Sequence, residues 1–469
     1  MLKKLLYPSS VAVIGASPKP GSVGYVVLEN LLSRFKGAVY PVNPKYDEVE
    51  LWGRKVKFFK SVLDVQEPVD VAVIATPAPT VPKVLDEAGR KGVAAAIVLS
   101  GGFAEAGNAA LEEQVVAVAR QYGIKVLGPN CIGLFNAFAD FDTVFLSSER
   151  AGRPPRGPLA LISQSGAVTA AIMDWAARRG LGLGIVVSYG NEAGVTVTEL
   201  VEAVTDDSNV RVVTLYLEGF RYPGEARKLL EVARKVAARK PIIAYKAGRG
   251  RTAQRAVKSH VAAMAGSYDM YRGLFSQAGI IEASSVREMF DMAKALAMQP
   301  IPRGSRVLVV TDSGGLAIQA VDVLEELGLE IPELPESIAR ELKRELLPFA
   351  TVSNPVDLTG SATDEHYKIV LDALLPTAFF DMALVITLVQ VPGLTHNLAD
   401  YITAARRYGK PIAVVNFGGS EFVIKFERAL EDNGIPVYPT PERAAKALWA
   451  LYRYGEVRRK IAIAEAAAA

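Results

Sequence analysis

The chain has 469 residues, half of them hydrophobic, with 53 Lys and Arg against 50 Asp and Glu. That length exceeds what one hydrophobic core serves, so several domains are expected, and the near-balanced charge argues against a nucleic-acid or membrane-surface binder. The single cysteine, Cys131, excludes an internal disulfide and a cysteine-built metal cluster, as in a reducing cytoplasm.

The N-terminus, MLKKLLYPSS, runs straight into VAVIGAS without the apolar stretch of a signal peptide, and no run reaches the roughly 18 apolar residues of a membrane span. Short β-rich runs at 11–14, 38–42, 71–75, 95–99 and 125–127 alternate with helix-length segments. This βαβ rhythm predicts parallel, doubly wound sheets. Two Pro/Gly/Arg-rich breaks, SERAGRPPRGP at 148–158 and QPIPRGS at 299–305, read as linkers. The expected organisation is α/β with three doubly wound domains, a Rossmann-like one at 1–147 and two flavodoxin-like ones at 158–298 and 305–455.

After the first strand come Gly15, Ala16, Ser17, Lys19, Gly21 and Gly24 and then a helix, a turn that offers backbone N–H groups and a helix N-terminus to a phosphate. The next strand ends on Asn43 and Lys45 instead of the acid that a NAD site offers to the ribose hydroxyl. Lysine there favours an extra phosphate on the ribose, so CoA and NADP both stay open, although the acids Asp47, Glu48 and Glu50 follow closely. Three further strand-end loops fall on the same carboxyl edge: Ala75-Thr76-Pro77, Ser100-Gly101-Gly102 and the loop through Asn130 and Cys131.

The second and third domains repeat one pattern. LALISQSGAVTAAIMDWAARRGL at 159–181 aligns without gaps on VLVVTDSGGLAIQAVDVLEELGL at 307–329, and both read strand, Ser-Gly turn, helix, Gly stop. Ser163-Gln164-Ser165-Gly166-Ala167 opens the helix of the second domain, where free N–H groups and the helix dipole suit phosphate. The copies differ later. Gly248 to Gly279 covers 31 steps against 16 for Gly418 to Gly434, and the surplus contains His260. A segment that the sister domain closes without is a candidate for function.

The chain has three histidines. His366 and His396 read as structural, whereas His260 has small neighbours and Gly266 nearby that leave room for another molecule. A phosphorylated histidine needs a partner for its other ring nitrogen, and Glu218, at a strand end in LYLEG, is the candidate.

The ordered set GAS, PVNPKY, SGGFAE, GPNCIG, SQSGA, SYGNEA, LYLEGF, KAGR, SHVAAMAG and SNPVDL resembles, over essentially the whole chain, the α subunits of archaeal ADP-forming acetyl-CoA synthetases in the succinyl-CoA synthetase superfamily. The resemblance implies that the first domain binds CoA, that His260 carries phosphate from an acyl phosphate, that Glu218 bonds its ring, and that the helix after Ser165 holds inorganic phosphate. It also implies an ATP-grasp β subunit holding ADP or ATP with Mg, an α2β2 heterotetramer, a small carboxylic acid as substrate, and no nucleic acid or membrane. The family pattern SHTG reads Ser259-His260-Val261-Ala262 here. That departure keeps a CoA-binding regulatory or scaffold protein as the alternative; an NADP-linked enzyme has only the glycine turn and Lys45 in its favour.

Overall fold

The short Val- and Ile-rich runs become strands that are buried on both faces, as parallel strands covered by helices must be. Ser10–Ile14, Leu159–Ser163 and Val307–Thr311 are buried at every position. The computed structural model describes residues 2–260 and 267–468 and divides into two units, 1–282 and 283–469.

The first unit holds two large sheets. In one, Ala38–Val42, Ser10–Ile14, Val71–Ile74, Ala95–Val98 and Lys125–Leu127 lie side by side, all parallel. In the other, Ile281–Glu282, Ile242–Lys246, Val212–Leu217, Leu159–Ser163 and Leu183–Ser188 are parallel. Leu134–Asn136 and Phe141–Asp142 extend its edge in antiparallel fashion. The second unit carries a third sheet, in the order Thr351–Val352, Val356–Asp357, Val307–Thr311, Met382–Thr387, Ile412–Asn416 and Val437–Tyr438. Counting the parallel strands of each sheet in chain order, all three run 2-1-3-4-5, the flavodoxin-like arrangement.

The two sheets of the first unit are joined by backbone. Asn191, Ala193 and Val195 donate their N–H groups to Pro129, Gly128 and Val126 at 3.0, 3.0 and 2.7 Å, so a loop of the second sheet runs along the edge strand of the first. One hydrophobic core spans both, from Val11 and Val73 to Ile162 and Leu215. In the second unit the helix Val286–Met298 packs on the long helix Pro441–Ala468, and Asp291 takes Arg443 in a two-point ion pair of 2.6 and 2.6 Å.

The segment expected as a linker after residue 147 is tied down by Arg153. Its guanidinium donates to Asp142 at 2.6 Å and to the carbonyls of Ala151 and Leu146 at 2.6 and 2.7 Å, with both charged side chains almost wholly buried. Burial pushes the Asp142 carboxyl up against the pull of Arg153, so the pair holds only while both partners remain. Arg153→Ala is therefore expected to cost about 3 kcal/mol of stability, read as a lower guanidinium midpoint. Arg153→Met with Asp142→Asn, which buries no charge, is expected to recover much of that loss.

Candidate active site

The carboxyl edge of the first sheet is built from close backbone contacts. Gly15 sits at φ +91°, and a Cβ on it would meet Ala75 O at 2.7 Å. A Cβ on Gly24 would come to 2.0 Å from Gly15 O, so the helix Val23–Arg34 starts against the turn only because both residues lack side chains. Its N-cap Ser22 makes no side-chain cap bond. Inside the turn Ser17 accepts the Lys19 N–H at 3.1 Å, Ala16 is fully buried, and Gly21 is at φ +78°.

Asn43 braces this turn from the next strand end, donating to Ala16 O at 2.8 Å and accepting the Lys45 N–H at 3.0 Å. Two of the acids that follow have partners of their own: Lys60 pairs with Asp47 at 2.7 Å and Lys55 with Glu48 at 3.4 Å. Lys45 is exposed and makes no ion pair among the described residues.

The remaining loops interlock. Ser100 donates its hydroxyl to Thr76 O, and the Asn130 N–H donates to Ser100 O at 2.9 Å. Pro77 opens a short helical turn, Ala78–Thr80. Glu105 accepts the Gly102 and Phe103 N–H groups at 2.6 and 3.2 Å, which leaves Gly101 at the exposed tip. The Thr76 hydroxyl is buried without a partner, an orphan that a ligand polar group at this edge would satisfy. The bare glycine turn, the uncapped helix start, the unpaired Lys45 and this hydroxyl fit a ligand rich in phosphate and amide groups, as CoA is.

A cavity of about 230 Å³ lies where the two sheets meet. Asn130 and Cys131 line it from the first sheet and Gln164, Ser165, Gly166 and Ala167 from the second. Cys131 is buried, donates to Val98 O at 3.4 Å, and has its thiol pushed up to about 12 by burial, so it is a neutral wall. Ser163 turns its hydroxyl to Ser165 O at 3.0 Å and serves the turn itself. Ser165 caps the helix Gly166–Arg179 by accepting the Val168 N–H at 3.4 Å. The Gly166 and Ala167 N–H groups lie outside the helix's own ladder, and no acid stands in its first turn.

Gln164 joins this cavity to the candidate acid. Its Oε1 accepts the N–H of Glu218 and of Gly219 at 2.8 and 3.0 Å, while its Nε2 is buried with no partner. Glu218 follows the strand Val212–Leu217 and is nearly buried. Its carbonyl accepts from Lys246 Nζ at 2.8 Å; burial lowers this lysine to about 8, and its ammonium lies 4.6 Å from the Tyr271 ring centre.

His260 closes the helix Arg251–His260; its side chain, together with Val261, Ala262 and Gly266, lies outside the described residues. The helix itself is the surplus over the sister domain. There Ile412–Asn416 leads through a single helix, Glu421–Asp432, to Val437–Tyr438, whereas here Ile242–Lys246 leads through two, the second being Tyr268–Ala278. Of the other histidines, His366 Nδ1 accepts the Thr363 N–H at 3.1 Å, and His396 stacks on Phe422 at 4.1 Å.

The sister turn in the third sheet has the opposite electrostatics. Asp312 stands where Gln164 does, buried, accepting the Leu388 N–H at 2.9 Å and raised by burial to about 6. A Cβ on Gly314 would lie 2.7 Å from an Asp357 oxygen. Two carboxyl groups thus stand by a helix start of the kind that binds an anion in a phosphate site.

Motif spacing misses a buried polar network beside the cavity. Asn191, on the cavity wall, donates to Glu105 and, at 2.8 Å, to Glu112, and Glu112 takes Arg221 at 2.7 Å. Burial raises the Glu105 carboxyl, but the bonds from Asn191, Gly102 and Phe103 outweigh it and hold it below its ordinary value. Glu192, fully buried at φ +58°, accepts the Val197 N–H at 2.7 Å. The signal in the sequence was only the string SYGNEA, and the carboxylates that its Asn191 bonds lie more than 70 residues away.

Comparison with known proteins follows the same three segments. Residues 9–137 match the CoA binding domain family, 156–296 the succinyl-CoA ligase like flavodoxin domain, and 307–462 the Ligase-CoA domain. The acetate–CoA ligase (ADP-forming) I subunit α of Pyrococcus furiosus is 40% identical over 98% of this chain and 99% of its own length. A Methanocaldococcus jannaschii acetate–CoA ligase (ADP-forming) is 38% identical; the chain spans 64% of its length. Among solved structures, an acetyl-coenzyme A synthetase 1 of Ca. Korarchaeum cryptofilum, in complex with phosphate and ADP, superposes with a TM-score of 0.91 at 39% identity over 99% of both chains. The chain belongs to the ADP-forming acetate–CoA ligases, a family of acid–thiol ligases, and to its α-subunit type. Among the described residues no helix is long and apolar enough to cross a membrane.

Burial raises the Glu192 carboxyl to about 8, with Glu225 adding to the shift. Between its ordinary value and about 8 the folded chain therefore holds a proton that the unfolded chain releases, and stability falls as pH rises through that window. Wild type is expected to lose stability from pH 5 to pH 8 at up to about 1.4 kcal/mol per unit from this group; Glu192→Gln is expected to flatten the profile, measured by denaturation at a series of pH values.

Proposed function

We propose that this chain is the CoA-binding, phosphohistidine-carrying subunit of an ADP-forming acyl-CoA synthetase. The net reaction is acyl-CoA + ADP + phosphate to carboxylic acid + ATP + CoA, and it is reversible. Segments 1–147, 158–298 and 305–455 are its three working domains. The observation that carries the reading is the cavity shared by the two sheets of the first unit, where the unpartnered Gln164 amide and the Gly166 and Ala167 N–H groups stand opposite the Asn130–Cys131 loop.

In this reading CoA supplies the thioester sulfur as a leaving group. The turn through Gly15, Ala16, Ser17, Lys19 and Gly21 and the helix behind it hold its phosphates, with Lys45 for the phosphate on the ribose and Asn43 bracing the turn. Ala75, Thr76, Pro77, Ser100, Gly101 and Gly102 contact the remainder, and Asn130 and Cys131 flank the reacting end. Ser163 and Ser165 shape the helix start at which Gln164, Gly166 and Ala167 bind inorganic phosphate.

An oxygen of hydrogen phosphate attacks the carbonyl carbon, the carbon–sulfur bond breaks, and the phosphate's proton ends on the departing sulfur. His260, neutral and with its ring held by Glu218, then takes the phosphoryl group from the acyl phosphate, releasing the carboxylate, and passes it to ADP. ADP and ATP with Mg bind mainly on an ATP-grasp β subunit in a cytoplasmic α2β2 heterotetramer. The named relatives are ligases rather than regulatory proteins, which speaks against the scaffold alternative.

Incubating the assembled subunits with ATP radiolabelled at its terminal phosphate is expected to place acid-labile, base-stable label on this chain. Label that persists in His260→Ala would refute the histidine assignment. Gly24→Ala, whose Cβ would collide with Gly15 O, is expected to weaken CoA binding by about tenfold or more, or about 1.4 kcal/mol, in calorimetry, with the far-UV spectrum unchanged.

A further inference from the structure

Lys246 ends the strand Ile242–Lys246, in register with Leu217 on the neighbouring strand, so it stands beside Glu218 at the carboxyl edge. It is nearly buried, and its ammonium has partners on three pieces of chain. It donates to Glu218 O at 2.8 Å and to Ala247 O, and the Tyr271 ring centre lies 4.6 Å away. Ala247 leads through Gly248, at φ +76°, to the helix Arg251–His260, and Tyr271 belongs to the next helix, Tyr268–Ala278. Arg249 adds a second brace. Its Nε donates to Lys246 O at 3.1 Å, and its guanidinium lies 5.0 Å from the Tyr245 ring and 5.3 Å from that of Tyr268.

The sister domain shows that the fold does not require this lysine. The pairing of Leu217 with Lys246 corresponds to that of Thr387 with Asn416, so Asn416 stands in the place of Lys246 and Leu388 in that of Glu218. The backbone confirms the match, since the Leu388 N–H bonds Asp312 as the Glu218 N–H bonds Gln164. Asn416 is buried and neutral, and donates to Glu427 at 3.2 Å. The acid, the lysine and the added helix thus occur together in one copy and are together absent from the other. A buried ammonium held by carbonyls and a ring rather than a carboxylate costs folding free energy, so its presence beside Glu218 calls for a gain elsewhere.

We propose that Lys246 is a positioning residue of the phosphohistidine step: its ammonium fixes the strand end that bears Glu218 to the root of the helix that ends at His260. Three donors on a flexible stem let one ammonium serve two carbonyls and a ring at once. The assignment rests on the reaction proposed above and concerns only its second half, in which the phosphoryl group passes through His260.

The experiment follows two half-reactions of acetyl phosphate, each with the complete complex. Acetyl phosphate and CoA give acetyl-CoA and phosphate without His260; acetyl phosphate and ADP give acetate and ATP through it. Lys246→Met is expected to lower the kcat of ATP formation by about tenfold or more while thioester formation stays within about twofold, and Lys246→Arg, which keeps the charge, to recover most of the loss. The pH profile is a readout that packing alone does not move. Among the described residues Glu218 on the neighbouring strand, Arg249 in its own loop and Tyr271 on the helix beyond are the titratable groups that face Lys246. Burial lowers Lys246 to about 8, against the pull of Glu218 and with Arg249 adding to the shift. Wild-type ATP formation is therefore expected to fall as pH rises through that value, and that of Lys246→Arg, whose guanidinium stays charged, to fall only at higher pH. Loss of both half-reactions alike in Lys246→Met, loss of neither, or coincident wild-type and arginine profiles would overturn the assignment. A wild-type complex that forms neither product removes the proposed reaction, and the assignment with it. Lys246→Asn, which carries the sister domain's residue, takes the place of the methionine variant should that fail to fold.

Discussion

The two hydrogen bonds that Gln164 accepts from Glu218 and Gly219 set the geometry around the cavity. They lock the end of the strand Leu159–Ser163 to the end of Val212–Leu217, so the helix start at Ser165 and the carboxylate at Glu218 become one rigid edge. Because both bonds use Oε1, the amide nitrogen of the same side chain is left over, buried and without an acceptor. An orphan donor of this kind is tolerated where something else supplies the acceptor, and a phosphate oxygen is the acceptor that the neighbouring helix N-terminus also favours. One side chain therefore both builds the edge and leaves an unpartnered donor at the cavity.

Much of the architecture could be read in advance because the physics that produces it is local. Apolar runs of four to six residues buried on both faces leave a plain mark on the sequence, and a gapless repeat of 23 residues announces two copies of one fold. The comparison of those copies isolated the segment of His260, and the structure gives it a concrete form: an added helix, Arg251–His260, ahead of the helix that the sister domain retains. The glycine turns were equally legible, since Gly15 and Gly24 stand where any Cβ would strike backbone.

What escaped the sequence shares one property: each feature gains its meaning only from a partner that the fold brings to it. Leu134–Asn136 and Phe141–Asp142 have three and two residues, too few for a periodic signal, yet they bind the first domain's tail to the second sheet. Arg153 looked like linker chemistry because its partner Asp142 is meaningful only after that strand has formed. Glu105 and Glu112, Asn191, and Arg221 come from three segments of the chain, and each residue alone reads as an ordinary polar one. Their value lies in mutual satisfaction inside the protein, where a half-satisfied polar cluster would be a liability.

The turn at Asp312 gives the repeat a further meaning. A duplicated fold begins with two equivalent helix starts, each of which favours an anion. Exchanging an amide for an acid at the position of Gln164, with Asp357 beside the helix start, silences that copy while leaving its backbone intact, because the Asp312 oxygens still accept a strand-end N–H as the amide oxygen does in the sister. The two turns thus share one backbone course and carry different charge, an amide in one and two carboxyl groups in the other.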